Sequence, residues 1–478
     1  MERSIVKNTA WLFSGQAIGR AIRAVVIIYA ARLLGASSWG VFSYALSLAA
    51  TFTVLSDVGV NALLVREGSK DPSSRKKYLS TGLVVKLVVL GILGLISLSL
   101  QDVIIRIPEV SALMPLIILI FFFDSLRDFV SALSRSLDRM DIEAKGQIMT
   151  NIGIVIFCFL ALVFSATAWS MTLGYVAGTL IGLAYVAMSL RDEFKGIFKH
   201  FRKSLVKTVL FSAWPFGLVS LMGVIMVNTD VLVLGQFGSS VDVGLFSAAQ
   251  KPVQMLFLIP ALLAAAFFPN MAEATEDKKK FGLLFSKGMK AIYLFALPIA
   301  LGGAALAEPI IRAVYGNQYI YAYPSFLVLC LTCLFVFPSI FMTNAIFAKG
   351  GKKVFLPYAL IGIFGNIILD IILIPLIGIT GCAVATLIVQ GALFLYGLYA
   401  LNGIINRPLA GLWRIILGAL FTVAIAMAFY ILGANVLIAI AASAIIYPAS
   451  LIVLREPSVR EIMRILKRSP SVTSGVEV

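Results

Sequence analysis

The sequence has a single histidine, His200, four cysteines in 478 residues, and only 13% charged residues. Each scarcity excludes something. One histidine, with no carboxylate pair or cysteine cluster outside the apolar runs, leaves little from which to build a catalytic centre, so an enzyme is not expected. Cys158, Cys330, Cys333 and Cys382 all lie inside apolar runs. Cys330 and Cys333 have the CxxC spacing of redox and zinc sites. Within "FLVLCLTCLFVF", however, cysteine reads as a small apolar filler. The phosphate-cradling pattern GxxxxGK[ST] is missing, so no nucleotide or other cofactor is expected. The net charge is +16. No segment outside the apolar runs could fold into a nucleic-acid-binding domain, and the positive charge is assigned instead to loops facing an anionic membrane surface.

What the sequence does have is apolar length: 60% of residues are hydrophobic. About 20 consecutive apolar residues cross a bilayer as a helix. Fourteen such runs are read, at 8–31, 39–64, 79–100, 112–134, 146–166, 169–190, 206–234, 243–268, 284–306, 323–347, 355–376, 380–401, 412–432 and 434–454. With the N-terminus in the cytoplasm, 30 of the 39 Lys and Arg fall in cytoplasmic segments. Only Arg32, Arg106 and Arg312 fall outside, and six lie within spans. A missed span would invert every later loop and erase that asymmetry. The expectation is an all-α integral membrane protein with both termini cytoplasmic and no cleaved leader.

A faint repeat divides the chain. "LFSGQ" at 12–16 recurs as "LFSAW" at 210–214, and "GVFSYALS" at 40–47 as "GLFSAAQK" at 244–251. Six spans return the chain to the same side, so the halves are parallel, a common transporter plan. The expected division is a six-helix lobe over 1–190, a cytoplasmic amphipathic linker over 191–205, a second six-helix lobe over 206–402, and two extra helices with a cytoplasmic tail over 403–478. In the linker, Phe194, Ile197, Phe198 and Phe201 follow helical spacing amid basic residues, as in a helix lying on the inner leaflet. The C-terminal "PSVREIMRILKR" is similar.

Charges inside spans are costly and usually face a watery path. Gln16, Arg20 and Arg23 form one stripe of the first span. Ser247, Gln250, Lys251 and Gln254 form another in the eighth. Asp124, Asp128, Ser131 and Arg135 follow helical spacing in the fourth, with Arg127 beside them. Asp57, Asp230 and Asp370 are lone acids in or near spans, the last with Asn366 one turn before it. Two readings stay open: these charges pair to hold helices together, or they mark a path. Arg127 and its aspartates suit the first. Arg20, Arg23 and Lys251 suit the second, and cations lining a path favour an anion such as phosphate or diphosphate. Lys86 and Lys290 read as side chains that snorkel to water.

With the stretches "NTAWLFSGQAIGRAI", "LSDVGVNALLVRE", "NTDVLVLGQFGSSVDVGLFSAAQK" and "NIILDIILIPLIGITGCAVAT", the chain resembles the oligosaccharide-lipid (O-antigen type) flippases. These polysaccharide biosynthesis transporters belong to the multidrug/oligosaccharidyl-lipid/polysaccharide exporter superfamily. The resemblance implies two lobes around a central cavity, as in the multidrug exporters, alternating between inward- and outward-open forms. It implies flipping of a polyprenyl-diphosphate-linked glycan from the inner to the outer leaflet of a prokaryotic plasma membrane, with glycan-assembly enzymes as further partners. Arg20, Arg23 and Lys251 match the family's cationic cavity positions, joined by Gln16, Gln254 and Arg127. Asp230 matches the acid common on the seventh helix, and Asp370, Asp124, Asp128 and Asp57 are further candidates for ion coupling or charge pairing. A peptidoglycan-precursor (lipid II type) flippase and a multidrug exporter of the same superfamily are the alternatives.

Overall fold

The structure is a computed structural model that describes the backbone of residues 2–350, 352–402 and 411–457. The side chains of 2–25, 104, 214–216, 218–220, 352, 353 and 355 fall outside the description. Among the described residues the chain is 88% helix with no strands. The helices longer than ten residues are α1 (Glu2–Leu55), α2 (Val60–Lys70), α3 (Arg75–Ser99), α4 (Met114–Ser136), α5 (Met140–Phe164), α6 (Ala168–Ser189), α7 (Lys203–Phe237) and α8 (Ser240–Leu256). They continue as α9 (Leu258–Glu273), α10 (Lys278–Ala305), α11 (Tyr323–Ala348), α12 (Lys352–Ile377), α13 (Ile379–Ala400), α14 (Trp413–Ile431) and α15 (Val436–Val453). Eleven spans among the described residues are long and apolar enough to cross a membrane. Helix α4 has the length too, but carries Asp124, Arg127, Asp128 and Arg135. Large side chains such as Phe164, Met188, Leu432 and Val453 stand exposed along these helices. A water-soluble surface rarely shows so much apolar area, and hydrocarbon is its natural solvent.

Local sequence sets the breaks. Helix α1 turns at Gly35, whose φ of 72° and ψ of 168° suit a residue without Cβ. Between α1 and α2 the chain unwinds at Asp57–Gly59, with Val58 at φ 42° and Gly59 at φ 83°. Thr167 and Ser170 form a capping box that starts α6. Pro252, Pro269, Pro298, Pro338 and Pro448 lie inside helices, where each removes a backbone donor and favours a bend.

Two compact units emerge. The first comprises Met1–Ala248, Tyr315–Tyr319 and Asn366–Cys382. Its core joins Leu63, Leu79, Phe129, Leu133, Val186 and Val209, all buried. Helices α5 and α6 pack through small residues, the usual solution where lipid removes the hydrophobic drive between helices. A Cβ on Gly174, Gly178 or Gly182 would lie 2.8 Å from Phe157 C, 2.3 Å from Ile154 N or 1.8 Å from Thr150 Oγ1. The second unit comprises Ala249–Val314, Ile320–Gly365 and Ala383–Val478. There Phe341 packs edge-on to Phe267 and tilted against Phe285, and Tyr447 of α15 donates to the Leu294 carbonyl of α10 at 2.9 Å.

The linker departs from the expected amphipathic helix. Residues Arg191–Phe194 and Ile197–His200 form two separate 3-10 turns. Lys195 is extended and Gly196 left-handed at φ 66°, which interrupts any continuous helix. Ile197 is buried in the first unit's core, while Phe198 is 67% exposed. The basic C-terminal stretch after residue 457 lies outside the described residues.

Candidate functional site

Three groups of polar side chains interrupt the apolar helices of the first unit. The most deeply buried joins α7 to α12. Asp230, Asn366 and Asp370 are all buried. Asn366 and Asp370 stand one turn apart on α12, so they share a face. The Asn366 amide nitrogen donates to Asp230 Oδ1 and, at 3.1 Å, to Asp370 Oδ2. One nitrogen thus holds two carboxylates together where hydrocarbon surrounds the helices. Asp370 Oδ1 is buried with no hydrogen-bond partner among the described residues. Cys382 approaches the Asp230 carbonyl at 4.0 Å. Two carboxylates on one amide carry excess negative charge, and buried charge is stable only when paired. The chemistry of this donor set suits one small cation: a proton shared by the pair, or a hard monovalent ion on oxygen ligands. Among the described residues no group of three or more His, Cys, Asp and Glu is arranged to hold a metal ion.

The second group sits where α1 unwinds. Lys86 of α3 is fully buried and donates to Asp57 Oδ1 at 3.2 Å and to Asn61 Oδ1 at 3.3 Å. It also lies 5.9 Å from the Phe129 ring centre. Asp57 in turn accepts from the Asn61 backbone N–H at 3.2 Å, which holds the first turn of α2. The snorkelling expected of Lys86 is therefore incorrect. Lys86 faces the packed interior, where Asp57 and Asn61 hold its ammonium, instead of extending toward a helix end.

The third group lies on α4. Arg127 pairs with Asp124 at 2.6 Å and Asp128 at 3.0 Å, and reaches Thr150 of α5 at 3.5 Å. Two turns further on, Arg135 meets Glu143 of α5 at 3.2 Å. Asp128 is half exposed, the others less so.

The structure thus brings Asp230 to Asp370, Arg127 to Asp124 and Asp128, and Asp57 to Lys86. Gln16, Arg20 and Arg23 belong to α1, but their side chains lie outside the described residues. Lys251 and Gln254 are half-buried on α8, in the second unit. Asn61 and Thr150 were not anticipated. The only signal for Asn61 was its position one turn after Asp57, and Thr150 is one hydroxyl among many in apolar helices.

A family model described as "Polysaccharide biosynthesis protein" matches residues 5–275. A Shigella flexneri protein named for O-antigen transport is 24% identical over 332 residues, covering 66% of this chain and 78% of its own length. A Haloferax volcanii protein named as a flippase of low-salt glycan biosynthesis is 23% identical over 389 residues, covering 80% of each chain. Among solved structures, the lipid II flippase MurJ in an inward closed conformation aligns with a TM-score of 0.75 at 17% identity, covering 96% of this chain and all of that one. A multidrug transporter in an inward-facing conformation aligns with a TM-score of 0.63 at 15% identity, covering 80% and 95%. At such identities the structural likeness is one of fold. The sequence match spans more than half of the chain, and the chain belongs to the polysaccharide biosynthesis protein family.

Proposed function

We propose that this protein moves a polyprenyl-diphosphate-linked oligosaccharide from the inner to the outer leaflet of a prokaryotic cytoplasmic membrane, for synthesis of a cell-surface polysaccharide or glycan. Family membership over residues 5–275 carries the reading. The names of the relatives, O-antigen transport and glycan flipping, support this substrate class and a carrier rather than an enzyme. The reading keeps fourteen crossings with both ends cytoplasmic. Two lobes, 1–190 and 206–402, joined by 191–205 and followed by 403–478, work by alternating access. Glycan-assembly enzymes supply and consume the substrate.

In this mechanism Arg20, Arg23 and Lys251 hold the diphosphate, because guanidinium and ammonium groups match its charge. Gln16 and Gln254 offer hydrogen bonds to the glycan, and the prenyl tail stays in lipid. Arg127 already has two aspartate partners on its own helix, and through Thr150 of α5 it serves helix pairing. The Asp230–Asn366–Asp370 group takes up one cation, proton or sodium, and so couples the cycle to a gradient. Uptake reduces the charge of the carboxylate pair from two negative charges to one, and any form of the protein that separates α7 from α12 releases the cation.

Purified protein in liposomes with a fluorescent polyprenyl-diphosphate glycan tests this. The wild type should flip it, and Arg20→Gln, Arg23→Gln and Lys251→Gln should each lose flipping while remaining folded. Flipping that persists in all three would overturn the substrate site. Lipid II and an organic-cation drug, run in parallel, distinguish the sibling readings: transport of the drug alone would reassign the protein as an exporter. Flipping that survives collapse of both proton and sodium gradients would remove the coupling role of Asp230 and Asp370.

A further inference from the structure

Within the first unit, Gly40 and Gly244 meet backbone to backbone. A Cβ at Gly40 would stand 1.8 Å from the Ser240 carbonyl oxygen and 2.7 Å from Gly244 N. A Cβ at Gly244 would stand 1.8 Å from the Ala36 carbonyl oxygen and 3.1 Å from Gly40 N. Each glycine therefore abuts the carbonyl one turn before the other. These glycines open the two copies of the repeated segment, "GVFSYALS" and "GLFSAAQK".

The crossing does not stand alone. Beside it the Ser37 and Ser240 hydroxyls share a hydrogen bond of 2.9 Å at an exposed position. Just before the Gly35 turn, the Gln318 amide donates to the Arg32 carbonyl at 2.8 Å, and the buried Tyr319 hydroxyl donates to the Ala31 carbonyl at 2.7 Å. Segments 31–40, 240–244 and 318–319 thus converge on one end of the bundle. Helix direction fixes which end. The arm of α1 after Gly35 runs away from the crossing toward the basic segment 66–77. Helix α7 runs from basic Lys203 and Lys207 toward Ser240. The crossing lies opposite the lysine-rich loops, on the outer side by the charge rule.

The contact has the character of a seal that can part. The α5–α6 glycine stripe runs down the middle of two helices joined by a short turn. The Gly40–Gly244 contact sits at helix ends, touches at a single turn, and is flanked by hydroxyls that water can take over once it opens. Packed contacts of this kind have two arrangements rather than a continuum. We propose that the reciprocal Gly40–Gly244 crossing, latched by Ser37–Ser240 and by Gln318 and Tyr319, is the closed outer gate of the transport cycle. The absence of side chains at the two glycines lets it shut completely. This rests on the alternating-access reading above.

The first test of the gate needs no substrate. In an S240C variant, a membrane-impermeant maleimide added from outside reports exposure at the crossing; Cys158, Cys330, Cys333 and Cys382 are buried and serve as the slow background. Adding Gly40→Ala or Gly244→Ala should raise the labelling rate by about tenfold, since an overpacked contact favours the open form. Unchanged labelling in both folded variants would overturn the gate. Should the alanine variants fail to fold, S37C/S240C takes their place. Its disulfide should form under mild oxidation, arrest flipping, and release it on reduction. Oxidised protein that flips at the reduced rate would equally refute the proposal. If labelling rises as stated but no lipid-linked glycan moves in any form, the gate stands and the substrate assignment falls.

Discussion

Lys86 is the sharpest test of how charge is stabilised inside this protein. Its side chain is fully buried, 3.2 Å from Asp57, which keeps 14% exposure. At that separation and an effective dielectric near 20, the attraction is roughly 5 kcal/mol, most of it offset by the loss of hydration. Lys86→Met strands the carboxylate. The remaining exposure of Asp57 and its bond from Asn61 N soften the loss, so about 3 kcal/mol of stability should go, the low end for a broken buried pair. Asp57→Asn leaves the ammonium with Asn61, the face of Phe129 and the more distant Asp128 charge, and should cost about as much. The double variant should be no less stable than either single, a coupling of about 3 kcal/mol. Thermal unfolding of the detergent-solubilised protein, followed by tryptophan fluorescence and size exclusion, reads this as a Tm drop of about 3 °C in each single with no further drop in the double. A double variant that loses the sum of both singles would show that the two charges do not depend on each other, and the account of this break in α1 would be wrong.

Other outcomes follow from the same geometry. Asn366→Ala removes the donor shared by Asp230 and Asp370; sodium- or proton-dependent shifts in Tm should shrink, while Asn366→Ser should retain part of them. Gly59→Ala places a Cβ 1.9 Å from the Ala213 carbonyl at a φ of 83°, and should cost at least about 2 kcal/mol, visible as lost monodisperse protein on size exclusion. In the linker, Ile197→Asp buries a charge in the core and should cost about 3 kcal/mol, whereas Phe198→Asp, one residue on and exposed, should leave Tm within a degree or two.

The architecture was legible because lipid imposes it: apolar runs of fixed length and a one-sided distribution of Lys and Arg leave few alternatives. The acids at 230 and 370 are also legible as costly charges, since "VNTDVLVLG" and "NIILDIILI" are otherwise apolar, with charge pairing and a path both open as their explanation. Their partnership was not legible. Asp230 and Asn366 are separated by 136 residues, and no periodicity within one helix says which other helix it faces. The role of Lys86 is not legible in its own span, because its partners Asp57 and Asn61 lie on another segment, 29 and 25 residues away. The linker misled through its aromatic spacing, which is helical in register, while Gly196 decided the backbone. The repeat around Gly40 and Gly244 was visible as a likeness between two segments; that the copies touch is a property of three dimensions alone.

That last contact also has a symmetry of its own. An arrangement in which residue i meets j and j meets i is what two identical chains make across a two-fold axis. Folded into one polypeptide, it ties two positions, 204 residues apart by the numbering of Gly40 and Gly244, to a single steric solution. Each copy is denied a side chain there by the other's backbone, so both positions are held to glycine whatever stands at the other. A half-length ancestor would have needed only one glycine to meet the same demand.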